Sequence, residues 1–280
     1  MNLTRTETYL AAFHDASPGV TSRAFEALPV SCGALVFAST CESLMSVQPE
    51  GGAPPLTVLY LACGDGHLLA LLRASRPDGQ LTLIGVDLSE GELCAARPRL
   101  GDQAALYRCK AQHLPFASGL IDVVFSHLAL MLMDDADGVL REVRRVLKPG
   151  GLFAGVVGAR PPANPALNFF IALCAGASKR PELAGMRFGD ARWRSEDGIR
   201  SLLSPAFDRL VFDDLHAARR CTPAQLWDWF LGTYDTDLLT PEGREDLRRR
   251  YLLALRPLCG PNGDLRFEEP YRQFSARAAR

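Results

Sequence analysis

Apolar residues along this chain fall into short unbroken runs, separated by stretches in which they return every three or four positions. The runs at 58–61, 81–86, 104–109, 121–126, 152–157, 207–212 and 267–276 predict strands, several of them rich in β-branched and aromatic residues. Between them the spacing is helical. The clearest case follows Asp134-Asp135, where Val139, Leu140, Val143, Val146 and Leu147 share one face and Arg141, Glu142, Arg144 and Arg145 lie largely on the other. Strand and helix alternate from residue 56 to residue 158, the rhythm of a parallel sheet with right-handed crossovers. The predicted fold is α/β: a three-layer αβα sandwich on a seven-stranded, mostly parallel sheet whose last strand is antiparallel.

The pattern also divides the chain. Residues 1–50 carry two short helical segments, 6–14 and 39–47, and read as an N-terminal helical cap. Residues 51–158 form the core, and 159–205 break the rhythm with Pro161-Pro162, an apolar helix at 166–175 and a polar loop holding Trp193, as a lid over an acceptor pocket would. Residues 206–280 supply the last two strands with two inserted helices, opened by Thr222-Pro223 and Thr240-Pro241.

Within the core, residues 58–72 read strand, turn, helix, with Gly64-Asp65-Gly66 as the turn. Such a turn aims free backbone N–H groups and the positive end of a helix dipole at a place where a ligand can approach the main chain closely. Asp87 stands twenty-one positions after Gly66 at the end of the second strand, placed to accept hydrogen bonds from ribose hydroxyls. Ser89 and Glu92 then form a capping box for the next helix.

Composition narrows the class. Hydrophobic residues at 48% and charged residues at 22% are globular values, and a net charge of −1 argues against a dedicated polyanion binder. The arginine-rich stretches at 141–148 and 248–250 are interspersed with acids and read as solvated helix faces, so no nucleic acid is expected. No run reaches the length of a membrane span and the start lacks a signal-peptide core, which points to a cytoplasmic protein with no membrane partner. The eight cysteines show no CxxC spacing, and no metal is expected.

With Leu114-Pro115-Phe116 and Leu147-Lys148-Pro149-Gly150-Gly151 added to the glycine turn and Asp87, the chain resembles the class I S-adenosylmethionine-dependent methyltransferases, in particular the bacterial small-molecule group. The resemblance covers residues 56–158 well and the last two strands loosely. It implies S-adenosyl-L-methionine as cofactor. Tyr60 and Ala62–Gly66 (Ala62, Cys63, Gly64, Asp65, Gly66) would line its methionine and ribose part, Asp87 would hold the ribose diol and Leu88 would lie against adenine. Ala111 and Gln112 would meet the adenine edge, and Ser126 with His127 would close the methionine side. Three positions depart from the family's pattern: Tyr60 and Lys110 stand where it usually has acids, and Ala62 where it usually has glycine. Two lost charge-assisted hydrogen bonds would weaken cofactor binding by a few powers of ten unless other groups compensate.

Methyl transfer from a sulfonium needs alignment and a dry pocket more than an acid or base, but a base helps when the acceptor is a hydroxyl or an acidic carbon. His127, at the carboxyl edge of the sheet, is the first candidate base and His14, in the cap, the second. Phe169, Phe170 and Trp193 of the inserted segment, with Tyr234, are candidates for an aromatic acceptor pocket. The resulting expectation is a monomeric or homodimeric methyltransferase acting on a small, largely apolar metabolite in natural-product (antibiotic) biosynthesis. The alternative is a repurposed methyltransferase fold that cyclises or rearranges a polyene or polyketide-like substrate without methylating it.

Overall fold

The computed structural model describes residues 2–26, 55–75, 81–159 and 164–279; the helix expected at 39–47 lies outside them. Seven strands form one sheet: β1 (Leu56–Leu61), β2 (Leu81–Asp87), β3 (Ala104–Arg108), β4 (Ile121–His127), β5 (Leu147–Gly158), β6 (Phe207–Cys221) and β7 (Leu265–Ala278). Their order across the sheet is β3-β2-β1-β4-β5-β7-β6. β1 pairs in parallel with both β2 and β4, and β7 runs antiparallel between β5 and β6. The α/β sandwich read from the sequence is therefore the observed fold.

Alternation along the strands supplies both faces. On one face Val58 and Tyr60 pack with α3 (His67–Ser75) and α4 (Glu90–Leu100) through Leu68, Leu69, Leu72, Leu93 and Ala96. On the other, Leu59 and Leu61 belong to a cluster with α5 (Ala136–Val146) and α7 (Glu196–Leu203). A third cluster lies under α6 (Pro165–Ala175), α8 (Pro223–Phe230) and α10 (Pro241–Leu255), against the far ends of β6 and β7.

Several boundaries move for identifiable reasons. α4 runs through Pro98 to Leu100 and stops at Gly101, whose φ of +52° breaks the helix. Leu147 already pairs with Ile121, so β5 begins before the Lys148–Gly151 turn, which bulges out and lets the ladder resume at Leu152. β6 and β7 extend past the expected runs into a long hairpin paired as far as Cys221 and Leu265. The 159–205 segment is not one lid. Its α7 and Trp193 belong to the main core, and α6 to the third cluster.

The remaining helices, α1 (Arg5–Ala16) and α2 (Val20–Glu26), cross the carboxyl edge of the sheet. Thr4 and Glu7 form a capping box that starts α1, and the short α9 (Tyr234–Asp237) meets it from the other side.

Candidate functional site: a cavity between the sheet edge and α1

The cavity opens at the carboxyl ends of β1 to β4, where the strand order reverses between β1 and β4. Its floor comes from Tyr60–Gly64, Val86–Ser89, Cys109–Gln112 and His127–Ala129; its roof comes from Glu7, Leu10, Ala11 and His14 of α1, with Gly19, Ser22 and Tyr234.

The floor is held by backbone. The Asp87 Oδ2 accepts from the Gly64 N–H at 2.8 Å and its Oδ1 from the Ser89 N–H at 2.9 Å, which fixes the carboxylate beside the glycine turn with lone pairs to spare. Burial lifts the Asp87 pKa, and these two N–H groups oppose the rise. Gly64 has φ +53° and a Cβ there would meet only the Glu92 carboxylate, at 3.8 Å, so the main chain is open to a ligand. Ala62 takes φ +59° and Leu128 φ +57°, conformations that cost a side-chain-bearing residue about 1 kcal/mol or more. Both strained residues line the cavity.

The roof is held by side chains. His14 Nδ1 lies 2.7 Å from the Glu92 Oε1, and His14 Nε2 lies 2.7 Å from the Tyr234 hydroxyl. The Glu92 Oε2 also accepts from the Gly19 N–H at 2.8 Å. A carboxylate offers no hydrogen, so Nδ1 donates to it, and Nε2 is left to accept from the tyrosine O–H. Lys110 Nζ pairs with the Glu7 Oε2 at 2.7 Å, and Ser22 Oγ donates to the Asp65 Oδ2 at 2.7 Å. Asp15 accepts from Ser89 Oγ and the Gly91 N–H, which ties the end of α1 to the start of α4.

The structure gathers Tyr60, Ala62, Cys63, Gly64, Asp65, Asp87, Leu88, Ala111, Gln112, His127, His14 and Tyr234 around one cavity. Other positions are corrected. Gly66 faces α4, where a Cβ would strike Leu100 at 2.7 Å, so its glycine serves helix packing. Ser126 is fully buried away from the cavity. Phe170 stacks on Phe230 at 3.7 Å in the third cluster, Trp193 stacks on Phe274 in the main core, and Phe169 is partly exposed outside the cavity. None of these three lines it, because α6 and the 191–194 turn that holds Trp193 pack elsewhere.

Two further readings change, those of the Ser89 capping box and of His127. The Lys110 ammonium is drawn under α1 by Glu7, itself 5% exposed. The capping box at Ser89 is half made: Ser89 Oγ accepts from the Glu92 N–H, but the Glu92 carboxylate serves His14 and Gly19 while the Ser89 N–H goes to Asp87. His127 loses its appeal as a base, since burial first and nearby His67 second push its pKa down to about 3. Among the cavity residues that sequence reasoning left out of the site are two carboxylates, Glu7 and Glu92. Each carried only a helix-capping signal, and neither spacing could show the cavity on its other side.

Charge states what the cavity suits. Four lining carboxylates, those of Glu7, Asp65, Asp87 and Glu92, face a single lysine ammonium among the described residues, which favours a cationic ligand. A carboxylate with lone pairs to spare beside an open glycine turn, at a switch point rich in acids, has the chemistry to receive a polar, cationic ligand. Fold and site thus define an α/β protein with a carboxylate-lined cavity at its sheet edge.

The comparisons with known proteins narrow that class. Residues 59–155 match the family described as Methyltransferase domain. The chain is 39% identical over 115 residues to the ubiquinone/menaquinone biosynthesis C-methyltransferase UbiE of Desulfotalea psychrophila, covering 41% of this chain and 46% of that protein. It thus spans about half the length of that relative. The YcgJ protein from Bacillus subtilis superposes with a TM-score of 0.57 at 19% identity, over 86% of this chain and 99% of that one. The [4+2]-cyclase SpnF superposes with a TM-score of 0.50 at 20% identity, over 81% and 75%. Residues 59–155 thus carry the pattern of a methyltransferase domain, and the chain as a whole shares the fold of these solved structures. Among the described residues no helix is long and apolar enough to cross a membrane, and no cluster of side chains is arranged to hold a metal.

Proposed function

We propose that this protein transfers a methyl group from S-adenosylmethionine to a small, largely apolar metabolite bearing a hydroxyl or an acidic carbon. The observation that carries the reading is the Asp87 carboxylate, fixed by Gly64 and Ser89 at the edge of a carboxylate-lined cavity. Ala62–Gly64 and Asp87 hold the cofactor's ribose and methionine part; when bound, the cofactor supplies an electrophilic methyl carbon on a sulfonium. The acceptor enters beside Leu10, Ala11, Leu132 and Met133, whose side chains supply an apolar wall.

Tyr234, His14 and Glu92 then act as a relay. An acceptor hydroxyl donates to the Tyr234 oxygen as the tyrosine O–H donates to His14 Nε2. The proton that an acceptor hydroxyl would release on methylation, in which the sulfonium's carbon–sulfur bond would break to leave a neutral thioether, would pass to Tyr234 and the tyrosine proton to His14, beside the Glu92 carboxylate. Burial raises the Tyr234 pKa, which keeps the phenol protonated and ready to hand on its own hydrogen. UbiE, as its name states, methylates carbon in ubiquinone and menaquinone biosynthesis, which supports an apolar acceptor. We place the chain in natural-product biosynthesis, in the cytoplasm, as a monomer or homodimer.

The test incubates the protein with methyl-labelled cofactor and a panel of quinols, phenols and β-keto esters, read by mass spectrometry. Label in an acceptor establishes the reaction, and its loss in Tyr234→Phe locates the relay. A second reading draws on Tyr60, on Lys110 and on the likeness to the cyclase fold: the pocket promotes a rearrangement instead. It expects bound cofactor, no label transfer, and a product isomeric with the substrate.

A further inference from the structure

Position across the sheet says where each part of the ligand lies. With the polar end over the β1 turn and ribose on Asp87 at the edge of β2, the base must extend over the next strand, β3, about 5 Å further on. The residue at that edge is Lys110, which lines the cavity. An ammonium has only hydrogens to give, so Lys110 cannot receive the amino group of adenine.

Glu7 lies directly beside it. Its Oε2 takes Lys110 Nζ at 2.7 Å and the Thr4 N–H at 2.8 Å. Its Oε1 accepts no hydrogen bond among the described residues, although the side chain lines the cavity and the residue is 5% exposed. A carboxylate oxygen that meets a cavity with its lone pairs unused by neighbouring donors is ready to accept from a ligand. An exocyclic amine in the cavity is the donor this oxygen lacks. The capping box and the lysine hold the carboxylate in one orientation beforehand.

We propose that Glu7 recognises the exocyclic amine of the cofactor's adenine, with Lys110 as the positioning residue that holds its carboxylate at the end of β3. The acceptor missing from the sheet edge is thus delivered by α1, and base recognition requires α1 to be docked. The inference rests on the methyltransferase reading above.

The test is calorimetric titration of the full chain with S-adenosylhomocysteine and with S-inosylhomocysteine, which places a carbonyl where adenine has its amine. The wild type is expected to prefer the adenosyl ligand by roughly 10-fold to 100-fold, the span of one charge-assisted hydrogen bond. Glu7→Gln keeps the capping box but removes the charge and the ion pair; Lys110→Met releases the carboxylate. Each should shrink the preference severalfold. A purely structural role would weaken both ligands alike and leave their ratio unchanged, and that result in Glu7→Gln, or in Lys110→Met should the first variant not fold, overturns the proposal. Tight wild-type binding without preference also overturns it while leaving the methyltransferase reading intact. Binding of neither ligand removes that reading, and this inference with it.

Discussion

The floor and the roof of the cavity are built by opposite means. On the floor, strand ends and the glycine turn present backbone groups, and the key contacts join Asp87 to residues 2 and 23 positions away. On the roof, side chains reach across the molecule: His14 to Glu92 over 78 positions and to Tyr234 over 220. The floor departs from the family's pattern at Tyr60, Ala62 and Lys110, while α1 brings the Glu7 carboxylate to the same cavity and its His14 holds that of Glu92 there. A cofactor site can lose acids from its sheet and regain them from a covering helix, because a ligand between two surfaces registers charge and geometry, not the element that supplies them.

The largest effect should come from the floor. Asp87→Ala removes the proposed ribose acceptor and releases the Gly64 and Ser89 N–H groups, so affinity for S-adenosylhomocysteine should fall at least about 100-fold by calorimetry; unchanged affinity would separate the glycine turn from cofactor binding altogether.

His127, also on the floor, gives a pH signature. The unfolded chain takes this proton near 6.5, the folded one not until about 3. Stability from this residue is therefore full above pH 6.5 and declines as pH falls towards 3, by up to about 1.4 kcal/mol per unit. Urea unfolding of the wild type and His127→Gln at pH 7 and pH 5 should show a flatter response in the variant.

On the roof, Tyr234→Phe keeps the ring against Phe13, 4.7 Å away, but takes the hydroxyl from His14. A loss of about 1 kcal/mol is expected, visible as faster hydrogen exchange in residues 5–16 with the sheet unchanged; equal acceleration in the sheet would mean roof and floor open as one unit. The smallest effect is a gain. Ala62→Gly relieves the φ of +59°, offset by greater freedom in the unfolded chain, so stability should rise by no more than about 1 kcal/mol.

What could be read from the sequence follows the same division. Strand runs, the glycine turn and Asp87 were legible because each is a local pattern whose physical cause lies within a few residues. The double use of Glu92 was not: its spacing from Ser89 fits a capping box, and only the docking of His14 and Gly19 redirects its carboxylate. Phe170 and Trp193 misled for a related reason. An aromatic residue in an inserted segment reads the same whether it lines a pocket or fills a core, and here Phe230 and Phe274 had already claimed them.

The separation between His14 and Tyr234 also sets an order of events during synthesis. α1 leaves the ribosome ahead of every strand, yet its partners on α4 and α9 emerge roughly 80 and 220 residues later. Such distant closures carry the largest loop entropy and form late. A helix made before the sheet is thus the last to settle, and until Tyr234 has been synthesised the cavity lacks the partner that completes its cover.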